Sequence, residues 1–196
     1  MRTVAVVVGH SRSAQGAVAV DGTSEWRWNG VLAADLSAKL AAIGYHAPVI
    51  LRPETGTYSS QMARVAEQVG AASCAVELHF NSIDVSGLPP EKLPRRTTAL
   101  HWPGSTRGAE LAQGLAEDMA VAIGGPKRPR SARAQSTSWA GAPLLFLRET
   151  RCPAVICEPH FGCTADDHAA STAARDTGRL AQAMAVAIDA FLRGAA

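Results

Sequence analysis

The feature that most constrains this chain is an alternation of short apolar runs with longer stretches of helical spacing. Residues 3–8, "TVAVVV", form a continuous β-branched run, the pattern of a strand buried on both faces. Residues 24–44 follow as a helix, with Trp28, Leu32, Leu36 and Leu40 recurring every four positions and Gly44 at its end. Further spacing predicts strands at 47–51, 74–80, 96–103, 143–147 and 153–158, and helices at 59–72, 105–124 and 170–192. This order predicts an α/β fold: a single twisted, mostly parallel (mixed) sheet of about six strands with helices on both faces. In such sheets the chemistry gathers beyond the carboxyl ends of the strands.

With 196 residues, 47% of them hydrophobic, the chain can bury one ordinary core, so residues 1–196 are expected to form a single domain. A net charge of +2 is too small to point to a nucleic-acid partner. Cysteines 74, 152, 157 and 163 lack Cys-x-x-Cys spacing, which suggests neither a zinc ribbon nor a redox pair. Reduced thiols are expected, with a Cys152–Cys163 bridge left open. Five apolar residues between Thr3 and Gly9 are too few for a signal peptide or a transmembrane segment, so synthesis in the cytoplasm is expected. Residues 82–96 and 125–142 read as loops. The second carries Lys127, Arg128, Arg130 and Arg133, with Trp139 beyond. A solvated loop is the simpler reading of those arginines, and a rim gripping an anionic polymer, with Trp139 packing on it, is the functional one.

The first strand runs into "GHSRSAQGAV", residues 9–18. This nearly spells the Gly-x-Ser-x-Gly elbow of a serine hydrolase, but Ser13 stands where the final glycine is needed and no helix follows at once. No Gly-Lys-Ser/Thr follows either, which removes a P-loop. His10 is the better focus, and Ser11 and Ser13 become turn residues. Glu25 opens the first long helix, His79 ends "AVELHF" and Glu158 ends "PAVICE", so all four fall at one predicted sheet edge. Two imidazoles and a carboxylate make a common catalytic zinc shell with a position left for water. A further carboxylate can then serve as general base. His46 and His101 have no such company and read as ordinary surface or core histidines.

The order "VVVGHS", "GAV", "SEWRWN", "ELHFNS", "LRET" and "PAVICEPHFG" resembles the zinc-dependent N-acetylmuramoyl-L-alanine amidases, a group that includes cell-splitting amidases and phage endolysins. The resemblance runs from about Val4 into the last helix. It implies one Zn2+ held by His10, Glu25 and His79, and Glu158 as the catalytic carboxylate. Asn81 falls on the family's His-x-Asn asparagine, and Asn29, one turn after Glu25, is placed to orient that carboxylate.

The chain departs from the family at two places. Glu77 replaces a small residue, so a carboxylate shares the face of His79. There it forms a structural ion pair, hydrogen-bonds a ligand, or competes with Glu158 as base. After Glu158 the chain reads Pro159-His160-Phe161-Gly162 where Gly-Phe is usual, so His160 contacts substrate, polarises the carbonyl, or lies exposed in a turn. Arg148 is expected to pair with a site carboxylate.

The implied substrate is peptidoglycan or a muropeptide, cut between N-acetylmuramic acid and L-alanine. A phage-type lysis enzyme without a separate wall-binding domain, monomeric and acting on the wall after release, is the leading expectation. A host remodelling or recycling amidase shares these features. The alternatives are a zinc peptidase acting within the stem peptide, or a relative that binds wall fragments without cutting them.

Overall fold

The structure, a computed structural model, describes residues 1–135 and 144–194 in full and the backbone of 138–139 and 142–143. Strands β1 (Val4–Val8), β2 (Val49–Leu51), β3 (Cys74–Leu78), β4 (Thr97–His101), β5 (Arg130–Ala134) and β8 (Ala154–Glu158) build one sheet in the order β2-β1-β3-β8-β4-β5. The first four in that order are parallel, whereas β4 runs antiparallel to β8 and β5 follows β4. The two-residue strands β6 (Ser138–Trp139) and β7 (Ala142–Pro143) pair separately. A mixed six-stranded sheet is therefore present, as the alternation predicts.

Every residue of β1, β3 and β8 is buried, because helices cover both faces. Alternating side chains divide the core in two. Val4, Val6, Val8, Val76, Leu78 and Val155 face α1 (Glu25–Ala42), α3 (Thr106–Gly124) and α6 (Arg179–Arg193). Ala5, Val7, Ala75 and Ile156 face α2 (Tyr58–Val69) and α4 (Leu145–Glu149). By the same alternation Glu77 and Glu158 lie on the α2/α4 face, at the carboxyl edge.

The structure corrects three expectations. The run at 143–147 is not a strand: Leu145, Phe146 and Leu147 open the short helix α4, buried under α2. No residue in "PLLFL" is β-branched, and periodicity cannot separate a short buried helix from a strand. The predicted helix at 170–192 is two helices, α5 (Ala165–Asp176) and α6, divided at Gly178, whose φ of 72° is left-handed. The third is β5, which falls inside a predicted loop. It is a sheet edge with two arginines and mostly exposed residues, so it lacks the apolar signature of a strand while fitting the charged character of an edge.

Candidate metal centre

His10, Glu25 and His79 converge although they come from three elements. His10 follows β1 and is the one non-glycine residue with positive φ, 67°, among the described residues. That turn swings the imidazole back toward the first turn of α1. Glu25 Oε2 lies 3.0 Å from His10 Nε2, and Glu25 Oε1 lies 2.8 Å from His79 Nδ1. The Glu25 carboxylate is fixed by backbone: Ala17 N donates to Oε2 at 3.1 Å and Phe80 N to Oε1 at 3.2 Å.

Two glycines make room for this packing. A Cβ on Gly16 would lie 2.6 Å from both Glu25 Oε2 and His10 Nε2, and one on Gly9 2.5 Å from His79 Nε2. The loop after His10 is held in turn by Glu54, whose two oxygens accept Arg12 N and Ser13 N, each at 2.9 Å. Ser11 Oγ accepts Ala14 N, so the serines are turn residues as expected.

One ligand atom from each of the three side chains falls within 4.8 Å of the other two. Zinc bonds near 2.1 Å at tetrahedral angles put ligand atoms about 3.3 Å apart, so the spacing and the His-Glu-His donor set fit such an ion. The three line a cavity of about 300 Å³ with Tyr58, Glu77, Asn81 and Glu158. A larger cavity, about 890 Å³, lies between α2 and residues 149–152, lined by alanines together with Glu67, Glu149, Arg151 and Cys152. The close His-Glu-His cluster is in the smaller one.

Charge explains how the site holds itself together. Burial would raise the Glu25 carboxyl, but hydrogen bonds with His10 and His79 outweigh it and keep the group well below the usual carboxylate range. Burial opposes a charged His79, yet Glu25 and Glu77 hold its pKa well above the ordinary histidine value. Glu158 differs. Burial pushes it up to about 7, against the lowering effects of His79, of Asn81 and of Arg133 on β5. Asn81 Nδ2 donates to Glu158 Oε2 at 2.9 Å. Burial, then the charge of Glu77, pushes Tyr58 to about 12, which keeps its hydroxyl protonated.

The family model for N-acetylmuramoyl-L-alanine amidases matches residues 4–190. The chain belongs to this family. No curated protein matches it significantly by sequence. Among solved structures, it is similar to the catalytic domain of CwlV, an N-acetylmuramoyl-L-alanine amidase from Bacillus (Paenibacillus) polymyxa var. colistinus, at 23% identity and a TM-score of 0.77, covering 98% of this chain and 99% of that one. AmiC2 of Nostoc punctiforme gives 21% identity and a TM-score of 0.74, covering 97% of each chain. The catalytic domain of the CD27L endolysin, which targets Clostridia difficile, gives 20% identity and a TM-score of 0.68, covering 92% of this chain and 97% of that one. At these identities the likeness is one of fold.

Not every expected residue of the amidase reaches the centre. Asn29 is fully buried and makes no hydrogen bond to Glu25; the Ala17 and Phe80 amides orient that carboxylate instead. Arg148 pairs with its neighbour Glu149 at 2.7 Å at the exposed end of α4, because the run that carries it is a helix and not a strand aimed at the site. His160 is neither exposed nor placed for substrate: it is fully buried, stacked on Trp28 at 4.6 Å and bonded through Nε2 to His168 Nδ1 at 3.0 Å.

Arg128 is not a solvated loop residue either. It forms a buried ion pair with Asp167, and donates to Thr97 Oγ1 and to the Pro159 carbonyl. The Trp139 side chain lies outside the described residues. All four cysteines are free. Tyr58 and Gly16 escaped the sequence reading. Tyr58 opens α2 just beyond the carboxyl end of β2, a position the sheet-edge rule points to.

Proposed function

We propose that the chain is a zinc amidase that hydrolyses the bond between the lactyl group of N-acetylmuramic acid and L-alanine in peptidoglycan. In this reading His10, Glu25 and His79 hold the metal and Glu158 is the general acid–base. The observation that carries it is a second carboxylate, buried and with its pKa near 7, in the same cavity as the His-Glu-His cluster.

An amide resists water because its carbonyl is a weak electrophile and its amine a poor leaving group. A zinc ion supplies Lewis acidity that polarises the carbonyl and acidifies water toward a pKa of about 7. Two neutral imidazoles and the Glu25 carboxylate leave that charge incompletely neutralised. In the metal-free protein burial holds Glu158 at about 7, in the range that suits a general base. Asn81 occupies its Oε2 and leaves Oε1 to accept the proton. The protonated Glu158 then delivers it to the departing alanine nitrogen. Tyr58 lines the same cavity.

Residues 1–196 serve in this reading as one monomeric catalytic domain, and no described helix is long and apolar enough to cross a membrane. A phage-type lytic role is supported by the endolysin catalytic domain among the similar folds. The test is a digest of purified cell walls by the zinc-loaded protein. New L-alanine amino termini together with peptide-free muramic acid are expected; new reducing ends, or cuts within the stem peptide, would overturn the assignment.

A further inference from the structure

An imidazole that binds a metal through one ring nitrogen keeps a proton on the other, and that proton needs an acceptor. The two nitrogens of His79 have unlike surroundings. Nδ1 is 2.8 Å from Glu25 Oε1, inside the cluster that also contains His10. Nε2 is 3.4 Å from Glu77 Oε2, and Glu77 is not part of the cluster of mutually close ligand atoms. The Nε2 edge of the ring also lies against Gly9, where no side chain intervenes.

Glu77 is itself 6% exposed, and a carboxylate so placed is stable only with a partner. Its strand neighbours on the same face, Ala75 and the paired Ile156, are apolar. Its Oε2 faces the ring of His79, and its charge also reaches Tyr58 on the cavity wall.

We infer that Glu77 is a positioning residue of the metal centre. It accepts the Nε2–H of His79, fixes the ring in that tautomer and presents the Nδ1 lone pair to the ion. The inference rests on His79 being a metal ligand. It also divides the labour between two carboxylates on one sheet face: Glu158 handles the proton, while Glu77 holds a ligand. At 3.4 Å the contact is longer than a good hydrogen bond, so the inferred bond requires the two groups to approach by about 0.4 Å.

The test measures zinc binding by competition with a chromophoric chelator, using the full chain and no peptidoglycan. Glu77→Ala is expected to weaken zinc binding about 10–100-fold, the usual cost of removing a carboxylate that orients a ligand histidine. Glu77→Gln retains an oxygen acceptor and is expected to stay within about 3-fold of the parent. Nitrogen chemical shifts of His79 in the zinc-loaded parent should show a protonated Nε2 and a metal-bound Nδ1.

Unchanged binding by Glu77→Ala overturns the inference, as does Glu77→Gln falling as far as Glu77→Ala, the result for a direct ligand or a bare counter-charge. Metal on Nε2 also overturns it. Should Glu77→Ala fail to fold, the glutamine variant and the His79 shifts still decide. A parent protein that binds no zinc removes the ligand reading and this inference with it, whereas a zinc-binding parent without amidase activity leaves the inference standing and removes only the substrate.

Discussion

The molecule contains two pairs of close imidazoles, and they do opposite things. His10 and His79 have ring centroids 4.9 Å apart, and His160 and His168 5.1 Å apart. Between the first pair stands the Glu25 carboxylate, touching both rings, and the rings open into a cavity. The second pair bonds ring to ring, sealed among Trp28 and Phe80, and burial drives His160 well below the ordinary histidine pKa. Proximity of histidines alone therefore does not make a candidate metal centre. A shared anion and an open side mark the first pair as one.

The sharpest way to break this contrast is to exchange the roles. Glu25→Ala or His79→Ala is expected to abolish zinc binding and wall digestion, whereas His168→Ala keeps the metal and measurable turnover; elemental analysis and a turbidity assay read both. Glu158→Gln should retain zinc yet lose turnover by about 10²–10⁴-fold, the range for a general acid–base. Gly16→Ala, which drives a methyl against His10 and Glu25, should weaken zinc binding by at least about 10-fold, because it displaces two of the three proposed ligands together.

The buried framework beside the second pair is expected to answer in stability and not in metal. Asp167 binds Arg128 and accepts Phe161 N, so Asp167→Ala leaves a buried guanidinium unpaired and should cost about 3–5 kcal/mol in urea unfolding.

The smallest effect concerns pH. In the metal-free protein Glu158 sits at about 7 against an ordinary 4.5, so its proton is held more tightly in the folded state. Its contribution to stability is full below about pH 4.5 and is lost as pH rises through about 7. Glu158→Gln should lack this loss, by up to roughly 3 kcal/mol at pH 8.

The sequence shows clearly what burial dictates and poorly what direction dictates. Strands β1, β3 and β8 are legible because sheets covered on both faces demand unbroken apolar runs, and the four residues His10, Glu25, His79 and Glu158 are legible because each ends or begins such an element. The edge strand β5 is hidden, since its solvent-facing residues need not be apolar. Asn29, Arg148 and His160 sit at plausible positions in the chain but aim elsewhere. Helical spacing places Asn29 one turn from Glu25 without saying that two backbone amides already hold that carboxylate. The turn after β8 carries His160 inward behind Phe80, away from the cavity. Arg128 shows the same limit: a proline-rich basic stretch reads as solvated, but one of its arginines is buried against α5.

The reversal of β4 has a consequence for how this scaffold can diversify. Because β4 runs against β8, Thr98 pairs with Glu158, and residues 82–96 leave the sheet and rejoin it on the same side as the reaction centre. Their far end is pinned by Arg95 to Asp166 and by Arg96 over Phe161. Both ends of this segment thus lie at one edge of the sheet, so a change in its length alters the border of the candidate centre without re-threading a strand.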